Sequence, residues 1–78
     1  MTTRTKNEKT FGQWDELPGG GRCYRLDVPG RQGWLARYCK EVDASEMTLR
    51  FWQEIYDDHG NPIEVHEKYP VDRGHRKA

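Results

Sequence analysis

Between Arg22 and Tyr69 apolar residues recur at every second position, the period of a pleated strand whose successive side chains leave on opposite faces. In "RCYRLDV" Tyr24, Leu26 and Val28 share a face, and in "WLARYCKEV" Trp34, Ala36, Tyr38 and Val42 do. In "MTLRFWQEIY" the set is Met47, Leu49, Phe51 and Ile55, and in "PIEVHEKY" it is Ile63, Val65 and Tyr69. The intervening "PGRQG", "DASE" and "DHG" carry the proline, glycine and aspartate chemistry of turns.

A helix competes for the third segment. Asp43 with Glu46 fits a capping box, Met47, Phe51 and Ile55 recur at four, and Gly60 could end the helix. The strand is preferred because Asp58-His59-Gly60 suits a three-residue hairpin loop with glycine in the left-handed conformation. The stretch "YDDHGNPI" also resembles the Tyr-Asp-x-x-Gly-Asn hairpins of YD-repeat proteins, a resemblance that implies a hairpin and no activity.

Pairing registers test this reading, since a slip of one residue would turn an apolar face outward. Centring the first turn on Arg31 pairs Tyr24 with Tyr38, Leu26 with Ala36 and Val28 with Trp34. A four-residue turn at 43–46 pairs Val42 with Met47, Tyr38 with Phe51 and Trp34 with Ile55. Centring the last turn on His59 pairs Ile55 with Ile63 and Leu49 with Tyr69. All three registers agree on one apolar face. The expected fold is therefore mainly β: a four-stranded antiparallel meander over residues 22–72, with one apolar face and a flexible N-terminal segment. Residues 1–10 read as a disordered polar tail, 11–21 as a linker or covering segment and 73–78 as a basic tail.

Composition makes such a domain short of core. One third of its 78 residues are hydrophobic and one third charged, and a chain near this size hides only about 60% of the surface it exposes when unfolded. Three Trp, four Tyr and two Phe argue against outright disorder. A sheet with one apolar face needs a cover, and the local candidate, Phe11–Leu17, is short. The simplest alternative is a symmetric dimer, with another protein as the other partner that would serve.

The zero net charge is the sum of blocks. Residues 22–42 carry +3, residues 43–67 carry −6 and residues 68–78 carry +3. That segregation favours intramolecular or head-to-tail pairing and is unlike a uniformly basic nucleic-acid binder. No apolar run approaches the roughly 18–20 residues of a membrane span, and "MTTRTKNEKT" lacks the apolar stretch of a secretory signal, so no membrane role and a cytoplasmic location are expected.

The same registers lay the polar positions out in rows. Arg25, Arg37, Trp52 and His66 form one; Asp27, Leu35, Glu54 and Glu64 flank it on one side, and Cys23, Cys39, Arg50 and Lys68 on the other. Arg25 then opposes Arg37 and Glu54 opposes Glu64, like-charge placements that cost stability unless diagonal Arg–Glu contacts relieve them. An ion-pair network is one reading. The other is a site: Arg25 and Arg37 to hold a phosphate, Trp52 to stack a base, and His66, Glu54 and Glu64 as candidate acid and base. These residue types on an antiparallel sheet resemble the catalytic surface of small metal-independent ribonucleases of the barnase and colicin type, though no motif matches and those folds pack a helix behind the sheet.

Cys23 and Cys39 fall opposite one another in this register and are expected as reduced thiols. No metal-ligand spacing and no cofactor motif is present. The block "HEKYPVDRGHRK" resembles the closing signature of short uncharacterised bacterial proteins of a domain-of-unknown-function family, which implies bacterial origin and no activity. With no catalytic motif, the expectation leans toward a non-enzymatic protein-interaction module that self-associates. The alternative is a metal-independent RNA-binding or RNA-cleaving protein of toxin type.

Overall fold

The alternation from Arg22 onward does fold as strands. The computed structural model describes residues 3–72 and 74–77. One antiparallel sheet runs in chain order through β1 (Gln13–Glu16), β2 (Arg22–Pro29), β3 (Leu35–Val42), β4 (Thr48–Tyr56), β5 (Pro62–Tyr69) and β6 (Gly74–Lys77). The four expected strands are its centre. The correction is one further four-residue strand at each edge, pairing β1 with β2 and β6 with β5. Strands so short show too little alternation to stand out from a linker or a charged tail.

The second correction concerns the N-terminus, where α1 (Arg4–Phe11) replaces the expected flexible tail. The Thr3 hydroxyl caps it by accepting from the Lys6 amide at 3.2 Å, and Gly12 closes it at φ 78°. Within "RTKNEKTF" only Phe11 is apolar, so no helical stripe marks the segment. It docks on the sheet through Phe11, whose ring centroid lies 5.7 Å from that of Tyr24, and through polar side chains.

The first turn is centred one residue later than expected and the second is one residue longer, and this moves the registers. A five-residue loop at 30–34, with Gln32 and Gly33 at positive φ, makes Pro29 oppose Leu35 and Leu26 oppose Tyr38. The slip is two residues, so the faces survive while the partners change. The Asp43 carboxylate accepts from the Ser45 and Met47 amides and from the Ser45 hydroxyl. These bonds extend the second turn through Met47, after a bulge between Glu41 and Val42.

The third turn behaves differently. Asp57 accepts from the His59 and Asn61 amides, and Tyr56 opposes Pro62, as a turn centred on His59 requires. A bulge at Ile63 then makes Ile55 oppose Glu64, and a second at Lys68 makes Phe51 oppose Tyr69. Each bulge inserts one unpaired residue and so inverts the parity of the strand beyond it. Between the bulges Glu64 and His66 lie on the aromatic face, whereas Val65 and Glu67 lie on the polar one. The expected orientation of Glu64, Val65 and His66 is reversed.

Little is buried. Among the described residues Tyr24, Val42 and Cys39 are the buried apolar side chains, and Asn7 and Glu46 lie buried with them. Glu46, at φ 67°, sends its carboxylate under α1. There it accepts from the Tyr24 hydroxyl at 2.6 Å, from Asn7 Nδ2 at 3.4 Å and from Arg4 Nη2 at 3.3 Å. Lys40 Nζ completes the cluster by donating to Asn7 Oδ1 at 3.0 Å. A polar network thus fills the corner where a larger domain would place leucines. Among the described residues no helix is long and apolar enough to cross a membrane.

Candidate functional site

The polar face consists of paired charges. Arg37 donates from Nε and Nη2 to both carboxylate oxygens of Asp27, at 2.8 and 3.3 Å, and its guanidinium lies 5.3 Å from the centre of the Tyr56 ring. Glu54, the cross-strand partner of Arg37, accepts from the Trp52 indole N–H at 2.9 Å and from the Tyr56 hydroxyl at 2.7 Å. Arg50 grips Glu67 through two bonds of 2.9 and 3.0 Å and covers the Trp52 ring at 4.4 Å. The two-residue slip produces this order by setting Asp27 opposite Arg37 and Arg37 opposite Glu54, so Arg25 does not oppose Arg37, and the bulge at Ile63 sets Glu54 opposite Val65 in place of Glu64. The Arg37 guanidinium holds the Asp27 carboxyl below its usual range, while the bond to Glu54 and burial raise the Tyr56 phenol.

Arg25, Arg37, Trp52 and Glu54 therefore do share one face, as the sequence suggests. Arg37, Trp52 and Glu54 spend their polar groups on one another and on Asp27 and Tyr56. Arg25 is the least satisfied: Nη2 reaches Asp15 at 3.4 Å, and its buried Nε has no hydrogen-bond partner among the described residues. Cys23 and Cys39 are not opposite one another. Cys39 faces Arg25 and Cys23 faces Glu41, and both are free thiols. Burial pushes the Cys39 thiol up to about 12.

His66 and Glu64, expected in that constellation, lie on the other side of the sheet. His66 pairs across strands with His75 of β6, and the ring centroids are 4.4 Å apart. Each imidazole has a carboxylate at one nitrogen: His66 Nε2 meets Asp72 Oδ1 at 2.6 Å, and His75 Nδ1 lies 3.4 Å from Glu64 Oε1. Asp72 is held in turn by the Gly74 amide at 2.9 Å, and that bond, with the one from His66, lowers its carboxyl. Lys68 comes next on the same face, its ammonium 5.3 Å from the Tyr38 ring centre and 5.8 Å from that of Phe51. Tyr38 and Phe51 are themselves stacked, with centroids 6.4 Å apart and planes at 22°.

Beside this platform α1 and the sheet enclose a groove of about 600 Å³, lined by Phe11, Met47, Phe51 and Tyr69 with Lys6 and Lys40 among its polar residues. His75, Asp72 and Lys68 are functional candidates that alternation along the chain does not single out. The available signal was turn chemistry in "YPVDRGHRK", where Asp72 and Gly74 return the chain and bring His75 beside His66. Among the described residues no group of three or more His, Cys, Asp or Glu side chains is placed to hold a metal ion.

Comparison with family models, with curated proteins and with solved structures finds no match to this chain.

Proposed function

We propose that the protein is an interaction module that self-associates through the open part of its aromatic face. The observation that carries this is the shortage of core: among the described residues three apolar side chains are buried. Val28, Trp34, Met47, Leu49, Tyr69 and Val71, by contrast, stand exposed. Helix α1 covers the corner around Tyr24, and the opposed Val28 and Ala36 lie at the far end of the same face, next in the chain to the exposed Trp34. A sheet with one uncovered apolar face gains most from another layer of the same kind, and a second copy is the partner always present at equal concentration.

A stable interface needs roughly 800 Å² per partner, a modest share of the 5360 Å² this chain exposes. The test is the solution mass at micromolar concentration, for the wild type and for Val28→Glu. Val28 is 40% exposed, so this substitution should leave the fold intact. The expected result is a dimer that Val28→Glu converts to monomer. A wild type that stays monomeric at 100 micromolar refutes the reading.

A further inference from the structure

At the opposite margin of the aromatic face the geometry points to a second activity, which goes beyond self-association. We infer that His66 and His75 are an acid–base pair that cleaves single-stranded RNA by transesterification, with the ribose 2′-hydroxyl as nucleophile.

The argument starts from the imidazoles. They oppose one another across β5 and β6, with ring centroids 4.4 Å apart. Asp72 holds Nε2 of His66 in a 2.6 Å hydrogen bond, and Glu64 Oε1 lies 3.4 Å from Nδ1 of His75, an ion pair when that ring is protonated. A carboxylate accepts, so Asp72 fixes the hydrogen of His66 on Nε2. That leaves Nδ1 of His66 and Nε2 of His75 without a partner among the described residues. Two imidazoles, each with one nitrogen anchored and one open, supply a base and an acid side by side.

The flanks select the substrate. On β6 Lys77 lies to one side of the pair on the same face, as the cross-strand partner of Glu64, and on β5 Lys68 lies to the other. Cations on both sides of an acid–base pair suit a phosphodiester, and when the Lys68 ammonium leaves the Tyr38 and Phe51 rings for the phosphate, those stacked rings offer a surface for an unpaired base. No Ser, Thr or Cys is among the residues gathered at the pair, so the nucleophile must come from the substrate, and the 2′-hydroxyl of RNA provides it.

The step balances without a further reactant. His66 Nδ1 takes the 2′-hydroxyl proton while that oxygen bonds to phosphorus. The bond from phosphorus to the 5′-oxygen breaks, and His75, entering as the imidazolium with a hydrogen on each nitrogen, protonates the departing oxygen from Nε2 and is left neutral. The products are a 2′,3′-cyclic phosphate and a 5′-hydroxyl, and proton transfer between the imidazoles through solvent restores the pair.

The experiment uses the full chain with a labelled single-stranded RNA in chelator, alongside the same oligonucleotide in DNA. The expected result is cleavage of the RNA to a 2′,3′-cyclic phosphate, an intact DNA, and a loss of about 100-fold or more in His66→Ala and in His75→Ala. His59→Ala, at an exposed turn, should cleave like the wild type. His75 is half exposed, so His75→Gln provides a variant whose folding is not at risk. An inert wild type overturns the inference, as does RNA binding without cleavage or equal rates in the wild type and both histidine variants. None of these outcomes bears on the dimer, which is read from mass.

Discussion

Removing one hydroxyl at Tyr24 tests the account of the core most directly. The Tyr24 ring is fully buried, and its hydroxyl donates to Glu46 at 2.6 Å while accepting from Arg22 Nη1 at 3.4 Å. Tyr24→Phe keeps the ring contacts with Phe11 and Trp14 and deletes the shortest bond to a carboxylate that is 6% exposed. Asn7 remains on the same oxygen at 3.4 Å, too long to replace what is lost. A hydrogen bond to a charged group contributes about 1.5–3 kcal/mol, so the expected loss is about 2 kcal/mol. In a domain of this size that lowers the melting temperature by on the order of 10 °C.

Urea unfolding followed by tryptophan fluorescence measures it. The same substitution in a Glu46→Gln background should cost only about 1 kcal/mol, because the acceptor is then neutral. Acid titration gives a third arm. Burial pushes the Glu46 carboxyl up, but the bonds from Tyr24, Asn7 and Arg4 outweigh it and leave the group below its ordinary value of 4.5. A carboxyl depressed in the folded state stabilises above its unfolded value, and that stability disappears as pH falls through the folded one. The wild type should therefore lose stability below about pH 4.5, with a shallower slope in Tyr24→Phe. A loss under about 0.5 kcal/mol, or costs that simply add in the double variant, would refute the network.

Two further expectations concern packing and register. Gly21→Ala should cost about 2 kcal/mol by overpacking, because an added Cβ would sit 2.5 Å from the Val42 carbonyl oxygen; unchanged urea stability would remove that close approach. In a background with both native cysteines changed to serine, Glu54→Cys with Val65→Cys should cross-link on mild oxidation, since these residues oppose one another. Glu54→Cys with Glu64→Cys should not, and the reverse outcome would show β4 and β5 paired without the Ile63 bulge.

Much of the sheet was legible in the chain. Period-two alternation from Arg22 to Tyr69 sufficed for the four central strands, and Asp58-His59-Gly60 for the last hairpin turn, because both signals are local. The polar face could be read in part for the same reason: Arg25, Arg37, Trp52 and Glu54 share it whether β2 and β3 slip by two residues or not. What alternation cannot carry is a bulge. One unpaired residue at Ile63 moves His66 and Glu64 to the opposite side of the sheet, and nothing in "NPIEVHEKY" distinguishes the bulged strand from a regular one.

The edges and the helix lay beyond the sequence for a different reason. β1, β6 and α1 are too short or too polar to advertise a face; β1 and β6 exist because a neighbouring strand supplies the other half of their backbone bonds, and α1 because its side chains dock on the sheet. Local chemistry settled which segments extend and where they turn. Pairing across the sheet decided which residues meet, placing His75 beside His66 and Glu46 beneath Tyr24, since a contact between distant residues depends on the summed lengths of everything between them.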